Sequence, residues 1–156
     1  MKKIVVISDT HKNLAALDYL LPIMKESDYV IHLGDFEKDM AKYKDELGDK
    51  LITVKGNFDS MFADEKIVDI EGFKFLITHG NKYNVKSNLV NLSYAAAEKN
   101  CNIALYGHTH KADINTYEDI YLINPGTLDG KAVKKSYVYI VISDGKILPK
   151  IVEVNA

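Results

Sequence analysis

The segment Ile4-Val5-Val6-Ile7-Ser8-Asp9-Thr10-His11 joins four β-branched residues to a polar tail. A run that is apolar at every position fits a strand covered on both faces, because successive side chains point to opposite sides. Asn13 suits a helix N-cap, and Leu14, Leu17, Leu20 and Leu21 give the following helix one apolar face. Pro22 is expected to end or kink that helix. A second short run, Tyr29-Val30-Ile31, leads into His32-Leu33-Gly34-Asp35. From Glu37 to Leu47 a lysine- and glutamate-rich segment carries Met40, Tyr43 and Leu47 at helical spacing, with Gly48 as its stop. Leu51-Ile52-Thr53-Val54 is a third buried-type strand, running into Lys55-Gly56-Asn57-Phe58-Asp59. Strand, helix, strand, helix, strand implies a parallel α/β sheet.

The remainder is richer in strands. Lys66 to Ile70, a turn at Glu71-Gly72 and Phe73 to Thr78 read as a hairpin that ends at His79-Gly80. A helix is expected over roughly Lys86 to Lys99, with Leu89, Leu92, Tyr94 and Ala96 on its apolar side. Ile103 to Tyr106 is a buried strand, and Gly107 allows a sharp turn before His108-Thr109-His110. Short strands follow near Ile114 and Tyr121 to Ile123, then a turn at Asn124-Pro125-Gly126-Thr127. Tyr137 to Ile142, Asp144-Gly145 and Ile147 to Val154 alternate as a last hairpin. A second sheet packed on the first accounts for this half.

With 156 residues, 47% hydrophobic and 27% charged, the chain reads as one globular domain spanning 1–156. A net charge of -2 argues against a basic nucleic-acid surface. All 20 basic residues are lysine, so no guanidinium fork is available for a phosphate. The single Cys101 excludes an internal disulfide and reads as a small buried hydrophobe. The apolar run after Met1-Lys2-Lys3 is too short for a signal peptide, and nothing reaches membrane-spanning length. A cytoplasmic protein is expected.

Asp9 and His11, Asp35, Asn57, His79, and His108 with His110 each stand just past an apolar strand. Four of the five histidines fall in such loops. Imidazole nitrogen and carboxylate oxygen suit borderline divalent ions such as Mn, Fe, Ni, Co or Zn. Two neighbouring ions need a bridging carboxylate between them, and Asp35, at the end of a middle strand, is the natural candidate. Taken singly, each residue has a plainer reading. Asp9 suits a helix cap, Asp35 a turn, Gly56-Asn57 a turn pair and His79 a core histidine.

Ser8-Asp9-Thr10-His11, Gly34-Asp35, Gly56-Asn57-Phe58-Asp59, Thr78-His79-Gly80 and Gly107-His108-Thr109-His110 resemble the five signature blocks of the calcineurin-like metallophosphoesterases. The short length and Ile123-Asn124-Pro125-Gly126-Thr127 look like the small YfcE-type phosphodiesterase branch. The resemblance implies an α/β fold (α+β in some schemes) of two packed, mostly mixed β-sheets flanked by helices, in four layers α-β-β-α. It implies two divalent ions, manganese first among the candidates. Asp9, His11 and His110 would hold one ion, Asn57, His79 and His108 the other, and Asp35 would bridge them. A hydroxide between the ions would attack phosphorus in line. Asp35, Asn57 and His108 would thus be catalytic as well as ligating, and the centre would keep a charge of about +1 to attract phosphate.

Three positions depart from the family pattern. Phe58 stands where many relatives have a histidine, which leaves the general acid open and favours substrates with good leaving groups. Lys12 replaces a common glycine, either to meet a phosphate or to face solvent. Asn81 also replaces a frequent histidine. Asn57, Asp59 and Lys12 are candidate substrate contacts, with Asp59 equally consistent with a surface role. His32 is expected behind the ligands, hydrogen-bonded to one of them. Asn124 to Thr127 is expected to pack beneath the site, and the segment from Glu37 to Lys50 to form a solvated face.

The reading is therefore a phosphodiesterase acting on a small phosphodiester or phosphoester. The rival is a protein-interaction scaffold on the same fold, as in the retromer subunit. A nuclease is disfavoured by the acidic balance and the lack of arginine. A homo-oligomer is left open.

Overall fold

The computed structural model describes residues 1–35, 37–56 and 64–155. Two five-stranded sheets hold the described chain. The first contains β1 (Lys2–Ile7), β2 (Tyr29–His32), β3 (Leu51–Thr53), β9 (Lys135–Ser143) and β10 (Lys146–Val154), in the order β10-β9-β1-β2-β3. The second contains β4 (Glu65–Ile70), β5 (Phe73–Thr78), β6 (Ile103–Leu105), β7 (Asp113–Tyr117) and β8 (Ile120–Asn124), in the order β4-β5-β6-β8-β7. Both sheets are mixed. β1 runs parallel to β2 and antiparallel to β9, while β6 runs parallel to β5 and β8.

The alternation of β1 explains its wholly apolar sequence. Ile4 and Val6 face the second sheet, in a core shared with Phe75, Ile77, Leu105 and Ile140. Val5 and Ile7 face outward, under Leu17, Leu20 and Met24 of α1 (Leu14–Glu26). On the far side, Leu76, Ala104 and Leu122 meet Leu92 and Ala96 of α3 (Val90–Glu98). Covering each sheet on both faces produces the four layers, and each fully buried aliphatic side chain contributes about 1.5–3 kcal/mol.

Several elements differ from the sequence expectation. The helix α1 runs through Pro22 to Glu26 instead of ending there. One missing amide hydrogen is offset by burial of Met24 in the next turn. The segment after Asp35 is a 3-10 helix over Glu37–Tyr43, with one α-helical turn, α2 (Lys44–Leu47), before Gly48. The α3 helix starts at Val90, not near Lys86. Asn84 adopts a left-handed backbone (φ 56°), and the Asn88 side chain accepts the Val90 amide hydrogen, so the preceding turns cannot continue into the helix. Tyr94 faces solvent and Ala95 takes the buried position. The last hairpin does not join the second sheet; β9 pairs with β1 and extends the first. No helix of the described residues is long and apolar enough to cross a membrane.

Candidate metal centre

Asp9 and His11 follow β1, Asp35 follows β2, His79 follows β5, and His108 and His110 follow β6. β1 and β2 lie in one sheet and β5 and β6 in the other, so the two sheets contribute to one site.

The backbone in these loops is constrained. Asp9, His11, Asp35, His108 and His110 all have positive φ, between 43° and 71°. Such residues cost about 1–3 kcal/mol each unless their surroundings hold them. The surroundings do so at Asp9. Its amide donates to the Gly34 carbonyl at 3.0 Å, and its own carbonyl accepts the Thr127 hydroxyl at 2.9 Å. One oxygen of its carboxylate, Oδ2, accepts Ser8 Oγ at 2.6 Å and the His108 amide at 3.2 Å. Gly107 makes that approach possible: a Cβ there would collide with Ser8 Oγ and stand 3.0 Å from Asp9 Oδ2. At Gly56, a Cβ would collide with the Asp35 amide and carboxylate.

These loops bring six candidate ligands into two groups, Asp9-His11-Asp35-His110 and Asp35-His79-His108, with the ligating atoms in each group within 4.8 Å of one another. Asp35 belongs to both groups. The other Asp9 oxygen, Oδ1, is buried and accepts no well-formed hydrogen bond among the described residues. It lies 3.2 Å from His110 Nε2 and 3.7 Å from His11 Nε2. In the second group, His79 places Nδ1 at 2.8 Å from the Leu33 carbonyl. A carbonyl only accepts, so Nδ1 carries the hydrogen and the Nε2 lone pair is left facing inward. That nitrogen lies 3.4 Å from Asp35 Oδ2 and 3.2 Å from His108 Nδ1. An imidazole oriented by a backbone carbonyl, with its other nitrogen turned toward a carboxylate, has the orientation that metal-ligating histidines use. The donor set fits divalent cations.

The electrostatics express the same crowding. Burial pushes the Asp9 carboxyl up, but His11, His110, His79 and Ser8 together hold it well below the usual carboxylate range. His11 is raised, first by its contact with Asp9. Burial works against a charge on His79, yet Asp35, Asp9 and the Leu33 carbonyl outweigh it and raise its pKa. His108 is lowered, by burial and then by repulsion from His79.

His32 is fully buried and joins neither ligand group. The Gly34 amide donates to its Nδ1 at 3.0 Å, so its hydrogen resides on Nε2, 3.1 Å from Thr10 Oγ1. The Thr10 hydroxyl in turn donates to Asp39 Oδ2 at 2.6 Å, and the Lys12 amide donates to the same oxygen at 2.7 Å. This chain ties the loop carrying Asp9 and His11 to the loop carrying Asp35. The sequence reading missed Thr10 and Asp39. Asp39 sits in the segment expected to be a solvated face but is only 9% exposed; among lysines and glutamates nothing in its own sequence marks it. Asn124 holds the His108 loop by donating to Gly107 O and Thr109 Oγ1, so the turn from Asn124 to Thr127 packs beneath the site. Lys12 is exposed on the rim, and Cys101 is buried beneath α3. Asn57, Phe58 and Asp59 lie outside the described residues.

Comparison with known proteins agrees with this architecture. The sequence profile of the calcineurin-like phosphoesterase superfamily domain matches residues 1–145. The chain is 29% identical to the probable metallophosphoesterase YsnB of Bacillus subtilis, covering 90% of this chain and 83% of that protein. It is 30% identical to a phosphodiesterase of Methanocaldococcus jannaschii, covering 82% and 85%. Among solved structures, a conserved uncharacterized protein of Streptococcus pneumoniae, a predicted phosphoesterase, superposes with a TM-score of 0.81 at 25% identity, covering 97% of this chain and 89% of that one. Vps29 of Entamoeba histolytica shares the fold, with a TM-score of 0.79 at 22% identity and 98% and 99% coverage.

Proposed function

The chain belongs to the calcineurin-like phosphoesterase superfamily, and we propose that within it the protein is a dinuclear metal-dependent phosphodiesterase. The observation that carries this reading is Asp35, whose carboxylate is common to both ligand groups. Two like-charged cations held close together need a shared anion between them. Asp9, His11, His110 and Asp35 would hold one ion. Asp35, His79 and His108 would hold the other, joined by Asn57. Manganese is the first candidate, with nickel, cobalt, iron and zinc suited to the same donors. When bound, the ions supply an activated water and draw electron density from the phosphoryl oxygens.

The chain's own residues set the conditions for that chemistry. Leu33 fixes the His79 ring through Nδ1, and Asn124, Ser8 and Thr127 fix the loops that carry His108 and Asp9. His110 has 40% of its side chain exposed, so a substrate reaches the site from that side. With two carboxylates against two divalent cations, the centre favours an anion. A phosphodiester carries one negative charge and needs no guanidinium clamp, which suits a chain without arginine. Phe58 offers no proton to the departing group, so esters with acidic leaving groups should react best.

Chelator-stripped protein should not hydrolyse bis-p-nitrophenyl phosphate, and return of Mn²⁺ should restore turnover that His108→Ala lacks. Failure with Mn²⁺, Ni²⁺, Co²⁺ and Zn²⁺ alike, in protein shown to bind two ions, would overturn the hydrolase reading in favour of a protein-interaction role on this fold.

A further inference from the structure

A cleft of about 760 Å³ opens directly beside His110. Lys111, Ala112, Val133, Lys134 and Ile151 line it. Two of its hydroxyls are already committed: Thr127 donates to the Asp9 carbonyl and Ser136 to the Pro125 carbonyl. What remains facing the cleft is mostly hydrocarbon.

Val133 is the most exposed large hydrophobic residue described, at 99%. The loop that carries it is not slack. Asp129 donates its amide hydrogen to Thr127 Oγ1, Lys131 to Asp129 Oδ1, and Ala132 to the Asp129 carbonyl. The isopropyl group is thus held in water by an ordered turn, and it lines the cleft together with Ile151 of the edge strand β10. Neither the Lys111 nor the Lys134 ammonium has an ion-pair partner among the described residues, whereas Lys25, Lys42, Lys55, Lys82 and Lys99 each have one. Glu153 is the single carboxylate on the described lining.

We propose that this cleft receives the organic arm of the phosphodiester that stays on phosphorus, and that this arm is of aryl or nucleoside size. The proposal rests on the phosphodiesterase reading. His110 belongs both to a ligand group and to the cleft lining, so the second ester arm of a phosphate seated at the ligand groups can reach the cleft. Its volume lies within the range of small-molecule sites. A planar group would cover Val133, Ala112 and Ile151 and displace water from them. The two lysines match the anionic character of the substrate, and their ammonium groups are attracted to an aromatic face. A methyl arm would leave the cleft filled with water.

Thymidine 5′-(p-nitrophenyl phosphate) and methyl p-nitrophenyl phosphate share a leaving group and differ only in the retained arm. In Mn²⁺-loaded protein, kcat/KM should favour the thymidine ester by at least tenfold. Val133→Asp and Lys134→Glu, both at the surface, should each lower that ratio at least fivefold, through KM. Val90→Asp, at an exposed apolar position on α3, should keep it. A ratio near one, or one that the cleft variants leave unchanged, would overturn the subsite while the phosphodiesterase reading stands. If neither ester is hydrolysed with Mn²⁺, Ni²⁺, Co²⁺ or Zn²⁺, in protein shown to bind two ions, that reading fails, and calorimetry decides the cleft separately. Thymidine 5′-monophosphate should bind Mn²⁺-loaded protein more tightly than inorganic phosphate, and Val133→Asp should erase the difference. Equal affinities in the unaltered protein would overturn the proposal.

Discussion

Thr127 donates its hydroxyl hydrogen to the carbonyl of Asp9 at 2.9 Å, although 118 residues separate them. The Thr127 hydroxyl oxygen also accepts the Asp129 amide at 3.0 Å. Thr127→Val keeps the shape and removes both bonds, leaving a buried carbonyl without its donor. A loss of about 1–3 kcal/mol is expected. Because Asp9 is displaced with its carbonyl, Mn²⁺ affinity should fall about tenfold or more. Urea unfolding of the metal-free protein and calorimetric Mn²⁺ titration read the two effects separately; an unchanged affinity would mean that the Asp9 loop holds itself.

The His32-Thr10-Asp39 chain predicts an order among substitutions. His32→Gln retains an amide donor toward Thr10 and loses the acceptor for the Gly34 amide. His32→Phe loses both, and should be the less stable by about 1–2 kcal/mol. Asp39→Ala should weaken metal binding while leaving hydrophobic packing intact. A nitrogen NMR spectrum of the imidazoles should place the His32 hydrogen on Nε2, and a hydrogen found on Nδ1 would break the proposed direction of the chain.

Gly107→Ala tests the closeness of the two sheets at the site. The added methyl would meet Ser8 Oγ and Asp9 Oδ2, so a destabilisation of about 1–3 kcal/mol is expected. Ser8→Ala in the same molecule removes the atom most in the way. The double variant should therefore be more stable than the sum of the two single effects, which unfolding curves of the four proteins will show.

Glu65 gives a pH dependence away from the candidate metal ligands. Burial raises its pKa, but the Tyr83 hydroxyl at 2.6 Å, Lys82 at 2.9 Å and the more distant Lys99 outweigh that and lower it. A carboxyl depressed in the folded state favours folding above its unfolded pKa, and the contribution is lost as pH falls through the folded value. Glu65→Gln should thus cost up to about 1 kcal/mol at pH 7. The gap from the unaltered protein should narrow below about pH 4. Urea midpoints at pH 7 and pH 3.5 check this, and a gap that widens in acid would reverse the assignment.

Much of the fold was legible because β1, β5 and β6 carry apolar residues on both faces, a pattern that only a doubly covered strand requires. Asp9, His11, Asp35, His79, His108 and His110 could each be placed behind a strand on the same grounds. Other features were not local. Nothing in the alternation of Tyr137 to Ile142 states that its partner is Ile4 rather than a strand of the second sheet. Asp39 has the composition of a surface residue, yet it is buried, where it accepts from the Thr10 hydroxyl and the Lys12 amide. Pro22 breaks a helix by propensity, yet α1 continues past it and buries Met24 in the next turn. The cleft beside His110 is assembled from β10, the loop carrying Val133 and the turn at Lys111, which no single window of sequence contains.

The placement of β9 beside β1 has a consequence for how the chain reaches this structure. Val6 pairs with Val138, and Asp9 waits for Thr127, so β1 has no antiparallel neighbour until β9, far later in the chain, has been made. Contacts so distant in sequence slow folding. Until β9 arrives, one edge of an Ile-Val strand stands open to other chains. Nascent chains halted before residue 135 should therefore be prone to aggregation, and the loop carrying Asp9 should set only once Thr127 has been made.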